Sequence, residues 1–127
     1  MSQDRPGVPK VYYNSLCPVC RTGVDMQRRR MAAAGAPAEF CDISQHPEAL
    51  AEIGAGLEAV RERLHVRAAD GTLAIGADAF TALARATPGQ GWLAQLSGLP
   101  LVKPLLRLAY NAFAAWLYRW NRRQGRW

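Results

Sequence analysis

Cysteine is scarce in this chain of 127 residues: there are three, and an odd number cannot be fully paired within the chain. That argues against a secreted disulfide framework and suits a reducing compartment, where a thiol pair is reactive or binds metal. Long apolar runs are missing too. The uncharged stretch 108–118 falls well short of the roughly 20 residues that span a bilayer. The opening residues, MSQDRPGVPK, lack the apolar centre of a signal peptide, so a cytoplasmic chain is expected. No Gly-rich phosphate loop is present, and no nucleotide, flavin or other cofactor is expected. Acid is absent from the last third: residues 1–78 hold nine Lys or Arg and ten Asp or Glu, whereas residues 79–127 hold seven basic residues and none acidic. The whole excess of the +6 net charge therefore sits at the C-terminal end. The nearly neutral remainder gives no reason to expect nucleic acid, while the basic end suits an anionic surface or an acidic protein.

What is present is concentrated in residues 11–31, VYYNSLCPVCRTGVDMQRRRM. Val11, Tyr12 and Tyr13 are good strand formers, and Pro18 stands where a first helical residue belongs, its missing N–H being no loss there. Cys17 then falls at the helix N-cap. A thiolate at that position faces unsatisfied backbone N–H groups and the positive end of the helix dipole, which favour the anion. Such settings lower a cysteine pKa to roughly 3.5–7.5. Arg21 adds positive charge one turn on. Cys20 lies on the same helical face, expected deeper and less exposed, within reach of a disulfide with Cys17. The spacing assigns Cys17 as nucleophile and Cys20 as resolving thiol.

The rest of the chain reads as an alternating α/β pattern. A helix over 18–34 should place Val19, Cys20, Gly23, Val24, Met26, Gln27 and Met31 on one side and its arginines mostly on the other, until Gly35 and Pro37 stop it. Glu39–Ile43 fits a second strand parallel to the first. Residues 48–53 and 57–63 are short helical segments separated by glycines. Runs 64–68 and 72–75, joined through Asp70-Gly71, predict a hairpin. Asp78 is placed to cap a helix over 79–86 whose Phe80, Leu83 and Ala84 should be buried. This order, strand-helix-strand-helix-strand-strand-helix, is that of a thioredoxin or glutaredoxin fold, with a core at about 10–88. A brief helix over 92–96 and a last long helix beginning at 101–104 form a C-terminal extension, the whole of 1–127 being one domain. Leu105, Leu106, Ala109, Ala112, Phe113, Trp116, Leu117 and Trp120 recur at helical spacing on that last helix, so it is amphipathic.

The stretches VYYNSLCPVCRTGV, FCDIS and LHVRAADGTLAIGADAFTAL, with a C-terminal stretch containing Tyr110, resemble the DCC family of thiol-disulfide oxidoreductases. The resemblance runs from residue 11 to about 120. It implies a thioredoxin-like fold, a redox-active Cys17–Cys20 pair, and a protein or small-molecule thiol or disulfide as substrate. The family carries Asp three residues before the first cysteine, and Asn14 stands there in this chain. Asn keeps a turn-forming role but cannot ionise. Thioredoxin-like proteins also usually hold a cis-proline before the third strand, facing the dithiol. This chain has no proline between Pro47 and Pro88, so Arg63 is the side chain expected near Cys17.

Other arrangements use the same residues. Cys17, Cys20, Cys41 and His46, spaced C-x2-C-x20-C-x4-H, are an ordinary Cys3His set for zinc, the alternative to a site without metal. Cys41 on its own reads as a small inward hydrophobe. His65 alternates away from Leu64 and Val66 and reads as a hydrogen-bonded structural residue. Asp25 and Asp42 are the candidates for taking a proton from Cys20, Asp42 the better placed. The C-terminal helix, residues 101–127, either packs on the core or makes peripheral contact with a membrane or a protein. A binding module, zinc-stabilised or with vestigial chemistry and acting through that helix, is the alternative to an enzyme.

Overall fold

In the computed structural model, which describes residues 7–127, the first apolar run forms strand β1 (Lys10–Tyr13), buried along its whole length. There follow α1 (Pro18–Ala33), β2 (Glu39–Asp42), a 3-10 segment (Pro47–Glu52), α2 (Leu57–Glu62), β3 (His65–Arg67), β4 (Leu73–Ile75), α3 (Ala77–Arg85), α4 (Gly91–Ser97) and α5 (Val102–Arg123). The strands make one mixed sheet in the order β2-β1-β3-β4. β1 runs parallel to β2 and antiparallel to β3, and β4 closes the antiparallel hairpin.

β1 is buried because both of its faces are covered. Val11 and Tyr13 point to one side, where Val24 and Met31 of α1 and Ala79 and Leu83 of α3 pack against them with Val66. Tyr12, one residue out of phase, points to the other, against Ile43, Ala49 and Val60. Side chains alternate along a strand, so a single run feeds two apolar layers. Removing a Val or Met side chain from water in this way contributes roughly 1.5–3 kcal/mol. Lys10 is buried as well, and its amine meets Glu52 at 2.7 Å, where the Tyr12 hydroxyl also donates at 2.8 Å. Burial and that carboxylate hold the Tyr12 phenol well above its ordinary pKa.

The Asp70-Gly71 hairpin forms as its sequence predicts. Gly71 takes φ +90°, and Asp70 Oδ1 accepts the Thr72 N–H at 2.9 Å. Other expectations are corrected. Residues 47–52 wind as a 3-10 helix that opens on Pro47. Asp78 does not cap α3: Gly76 holds the N-cap position at φ +69°, and the Asp78 carboxylate pairs with Arg107 at 2.9 Å. Gly76 is further constrained from outside, since a Cβ there would stand 3.3 Å from the Tyr110 ring. Phe80, Val19 and Met26 are half exposed and outside the buried layers.

On α5 the buried residues are Ala114, Leu117 and Asn121, while Leu105, Leu108 and Trp116 stand in solvent. Spacing shows that a helix has an apolar side; which side is covered depends on where the rest of the chain lies. No described helix is long and apolar enough to cross a membrane.

Candidate active site

The loop from β1 into α1 is built to aim one sulfur at a helix start. Asn14 Oδ1 accepts the Leu16 N–H at 3.1 Å, closing an Asx-type turn, and the Asn14 carbonyl accepts the Cys17 N–H at 3.3 Å. Asp42, at the end of the neighbouring strand, ties this loop down by accepting the N–H groups of Ser15 and Ser44, both at 3.1 Å, and the Ser44 hydroxyl at 2.7 Å. Burial works against its charge, but these bonds outweigh it and hold the carboxyl below its usual range. Asp25 sits half exposed with Arg28 3.8 Å away. The groups that shift Cys20 are Cys17 and burial, with neither carboxylate among them.

Cys17 is the N-cap of α1 and Pro18 its first residue, and the Cys17 sulfur accepts the Cys20 N–H at 3.3 Å. The neighbouring Cys20 thiol is the group that most lowers Cys17, to about 6; burial opposes it, and the N–H groups of Cys20 and Val19 and the amide of Asn121 reinforce it. Cys20 is pushed strongly the other way, because its proton is held between the two sulfurs, its site is buried, and a neighbouring thiolate opposes a second charge. The pair shares one proton, carried by Cys20. Both thiols are free of any disulfide.

Exposure runs opposite to the order expected from sequence. Cys17 is 0% exposed and Cys20 is only partly buried. The long last helix packs on α2, α3 and α4 and brings Asn121, itself 1% exposed, near Cys17. The amide of Asn121 is held in a fixed sense: Nδ2 donates to the Leu117 carbonyl at 3.0 Å, and Oδ1 accepts from Arg126 at 3.1 Å. Arg126 lies 4.4 Å over the Trp120 ring, which steadies it.

Cys20 borders a mostly apolar cleft of about 220 Å³ walled by Val24, Leu64, Phe80, Leu83, Tyr110 and Phe113. Tyr110 closes one end of it, its hydroxyl accepting the Leu64 N–H at 3.0 Å. Arg63 lines this cleft with Cys20, and Arg21 is exposed on the outer side of α1. A larger cavity of about 510 Å³ between β4, α3 and α5 holds neither cysteine.

The alternative metal set does not assemble. Among the described residues no three His, Cys, Asp or Glu side chains are placed to hold an ion. His46 is exposed with its Nδ1 3.3 Å from Glu48. Cys41 pairs across the sheet with Tyr12 and packs in the second apolar layer, which raises its pKa through burial. His65 is buried with Nδ1 3.0 Å from the Arg63 carbonyl, and burial lowers its pKa.

A family model of DCC1-like thiol-disulfide oxidoreductases matches residues 11–123, nearly the whole chain. The chain belongs to this family. No curated protein and no solved structure gives a match. For a DCC1-like thiol-disulfide oxidoreductase the substrate is, in general, a thiol or a disulfide. In this DCC1-like chain Asn14 keeps the turn through Oδ1 and leaves Nδ2 buried without a partner among the described residues. The matched span reaches from β1 to the end of α5 and so takes in Asn121, a residue that pattern reading passed over. The signal for it was a polar residue four positions after Leu117, on the packed side of the helix.

Proposed function

We propose that this is a thioredoxin-like thiol-disulfide oxidoreductase, one domain over residues 1–127, with Cys17 as nucleophile and Cys20 as resolving thiol. The Cys17 thiolate attacks one sulfur of a substrate disulfide. A mixed disulfide forms and the other substrate sulfur leaves as thiolate, to be protonated by solvent. Cys20 then loses its proton to solvent and attacks the Cys17 sulfur, forming the Cys17–Cys20 disulfide and releasing the second substrate sulfur as a thiolate that solvent protonates. Two electrons pass from the dithiol to the substrate; an external dithiol restores the enzyme, and the reverse sequence oxidises a substrate dithiol.

The observation that carries this reading is the Cys17 sulfur at the N-cap of a helix, accepting the Cys20 N–H at 3.3 Å with a second cysteine one turn on. Asn121 acts as a positioning residue whose N–H steadies the same anion. Asn14 and Asp42 shape the loop that presents it. Attack on substrate requires the last turns of α5 to draw back, since Cys17 is otherwise covered. A reducing, cytoplasmic setting belongs to the proposal, because it keeps the three thiols available.

That covering also favours a second reading, a binding module with vestigial chemistry. Iodoacetamide labelling of Cys17 against pH, followed by mass spectrometry, separates the two. The enzyme reading expects labelling with a midpoint near 6 together with reduction of a model disulfide that Cys17→Ser abolishes. Labelling that follows an ordinary thiol near 8.5, with no disulfide reduction, supports the module and removes the mechanism.

A further inference from the structure

The outer side of α5 is apolar and uncovered. Leu101, Leu105, Leu108, Ala112 and Trp116 follow one another at spacings of four and three residues, which keeps them on one side of a helix. All are exposed: Leu105 by 67%, Leu108 by 69% and Trp116 by 59%. Arg119 and Arg123, both exposed, continue the same stripe beyond Trp116. The opposite side, through Tyr110, Ala114, Leu117 and Asn121, is the one that faces the protein. Trp116 stacks on Trp120 with their ring centroids 6.1 Å apart, so the apolar stripe ends in a paired aromatic step among the arginines.

We infer that this side of α5 docks the protein on an anionic lipid surface, with the leucines and Trp116 entering the headgroup boundary and Arg119 and Arg123 meeting lipid phosphates. The charge pattern selects that occupant. No Asp or Glu occurs from residue 79 onward, so a second copy laid against the stripe would bring arginines to leucines or to other arginines with no carboxylate on either helix to receive them. A bilayer containing anionic lipid supplies negative charge and an apolar layer side by side, and Trp with Arg at the edge of a leucine stripe suits that boundary. The helix lies on the surface and does not cross it. The contact is separate from the dithiol and needs neither cysteine.

Flotation of the full chain with vesicles tests this. Phosphatidylcholine vesicles containing phosphatidylglycerol should carry the protein, and pure phosphatidylcholine vesicles should bind it at least tenfold more weakly. Added salt should weaken the anionic binding. Leu105→Ser with Leu108→Ser, and separately Arg119→Glu with Arg123→Glu, should each reduce binding at least tenfold. Circular dichroism and the pH profile of Cys17 labelling should stay unchanged in both, since these side chains stand outside the packed core. Cys17→Ser should bind as the parent does. Absence of binding to anionic vesicles, or binding that neither pair of substitutions reduces, overturns the inference. So does a dimer in light scattering that Leu105→Ser with Leu108→Ser dissociates, which would assign the stripe to a second copy.

Discussion

Helices α1 and α5 both border the dithiol and both carry arginines, yet they use their two sides in opposite ways. α1 turns Val24 and Met31 to the sheet and leaves Arg28, Arg29 and Arg30 in water, as an amphipathic helix on a protein core does. α5 turns a small residue, a leucine and an amide inward and leaves a row of leucines and Trp116 outside. A helix that supplies its own core obeys the ordinary pattern. One that hides its less apolar side is held by particular polar contacts: the Tyr110 hydroxyl with the Leu64 N–H, Tyr118 with Glu58, and Arg107 with Asp78. The proposed chemistry draws on both, α1 placing Cys17 at its N-cap and α5 bringing Asn121 near it.

The contrast can be broken first at the sulfur itself. Cys17→Ser should bring disulfide reduction down to background, the largest effect of any single change, measured with a model disulfide and an external reductant. Cys20→Ser removes the thiol bonded to Cys17, so the labelling midpoint should rise from about 6 toward the free value of roughly 8.5, and substrate should accumulate as a mixed disulfide seen by mass spectrometry. Next comes packing: Met31→Ala on the inner side of α1 should cost ~2–5 kcal/mol in urea unfolding, whereas Leu105→Ala on the outer side of α5 should change stability by less than ~0.5 kcal/mol. Comparable losses at the two positions would mean that α5 is covered in solution. The smallest effect distinguishes making the anion from covering it. Asn121→Ala removes one hydrogen bond to a charged group and should raise the Cys17 midpoint by about one pH unit while speeding labelling above pH 8.

Stability should follow the same proton. Cys17 binds a proton more weakly in the folded chain than in the unfolded one, where its pKa is roughly 8.5, so the unfolded state holds more protons between about pH 6 and 8.5. The stabilisation from the thiolate is therefore complete above about 8.5 and is lost as pH falls through about 6. Unfolding of the parent and of Cys17→Ser across that range should diverge as pH rises; parallel curves would deny the lowered pKa.

These two helices also mark how much could be read in advance. The N-cap at Cys17, Pro18 at the first turn, the parallel pairing of β1 with β2 and the Asp70-Gly71 hairpin depend on neighbours in sequence or on a period of two, and local chemistry determines them. The position of α5 depends on contacts across the fold, such as Tyr110 to Leu64 and Tyr118 to Glu58, which no local rule encodes. Hence the exposure order of the two cysteines was inverted and Asn121 was missed: both follow from where a distant helix comes to rest. Asp78 failed as a cap because the helix begins earlier, with Gly76 at the N-cap, which leaves its carboxylate to pair with Arg107.

The sheltering of Cys17 has a consequence for damage. Peroxide and alkylating toxins attack sulfur according to how anionic it is and how openly it is displayed. Here those two properties are divided, the anion being favoured on a sulfur with 0% exposure, while the proton is favoured on the partly buried Cys20. On the proposed mechanism the irreversible steps toward sulfinic and sulfonic acid are thus slowed at the attacking sulfur, and the hazard is confined to the interval in which α5 stands away.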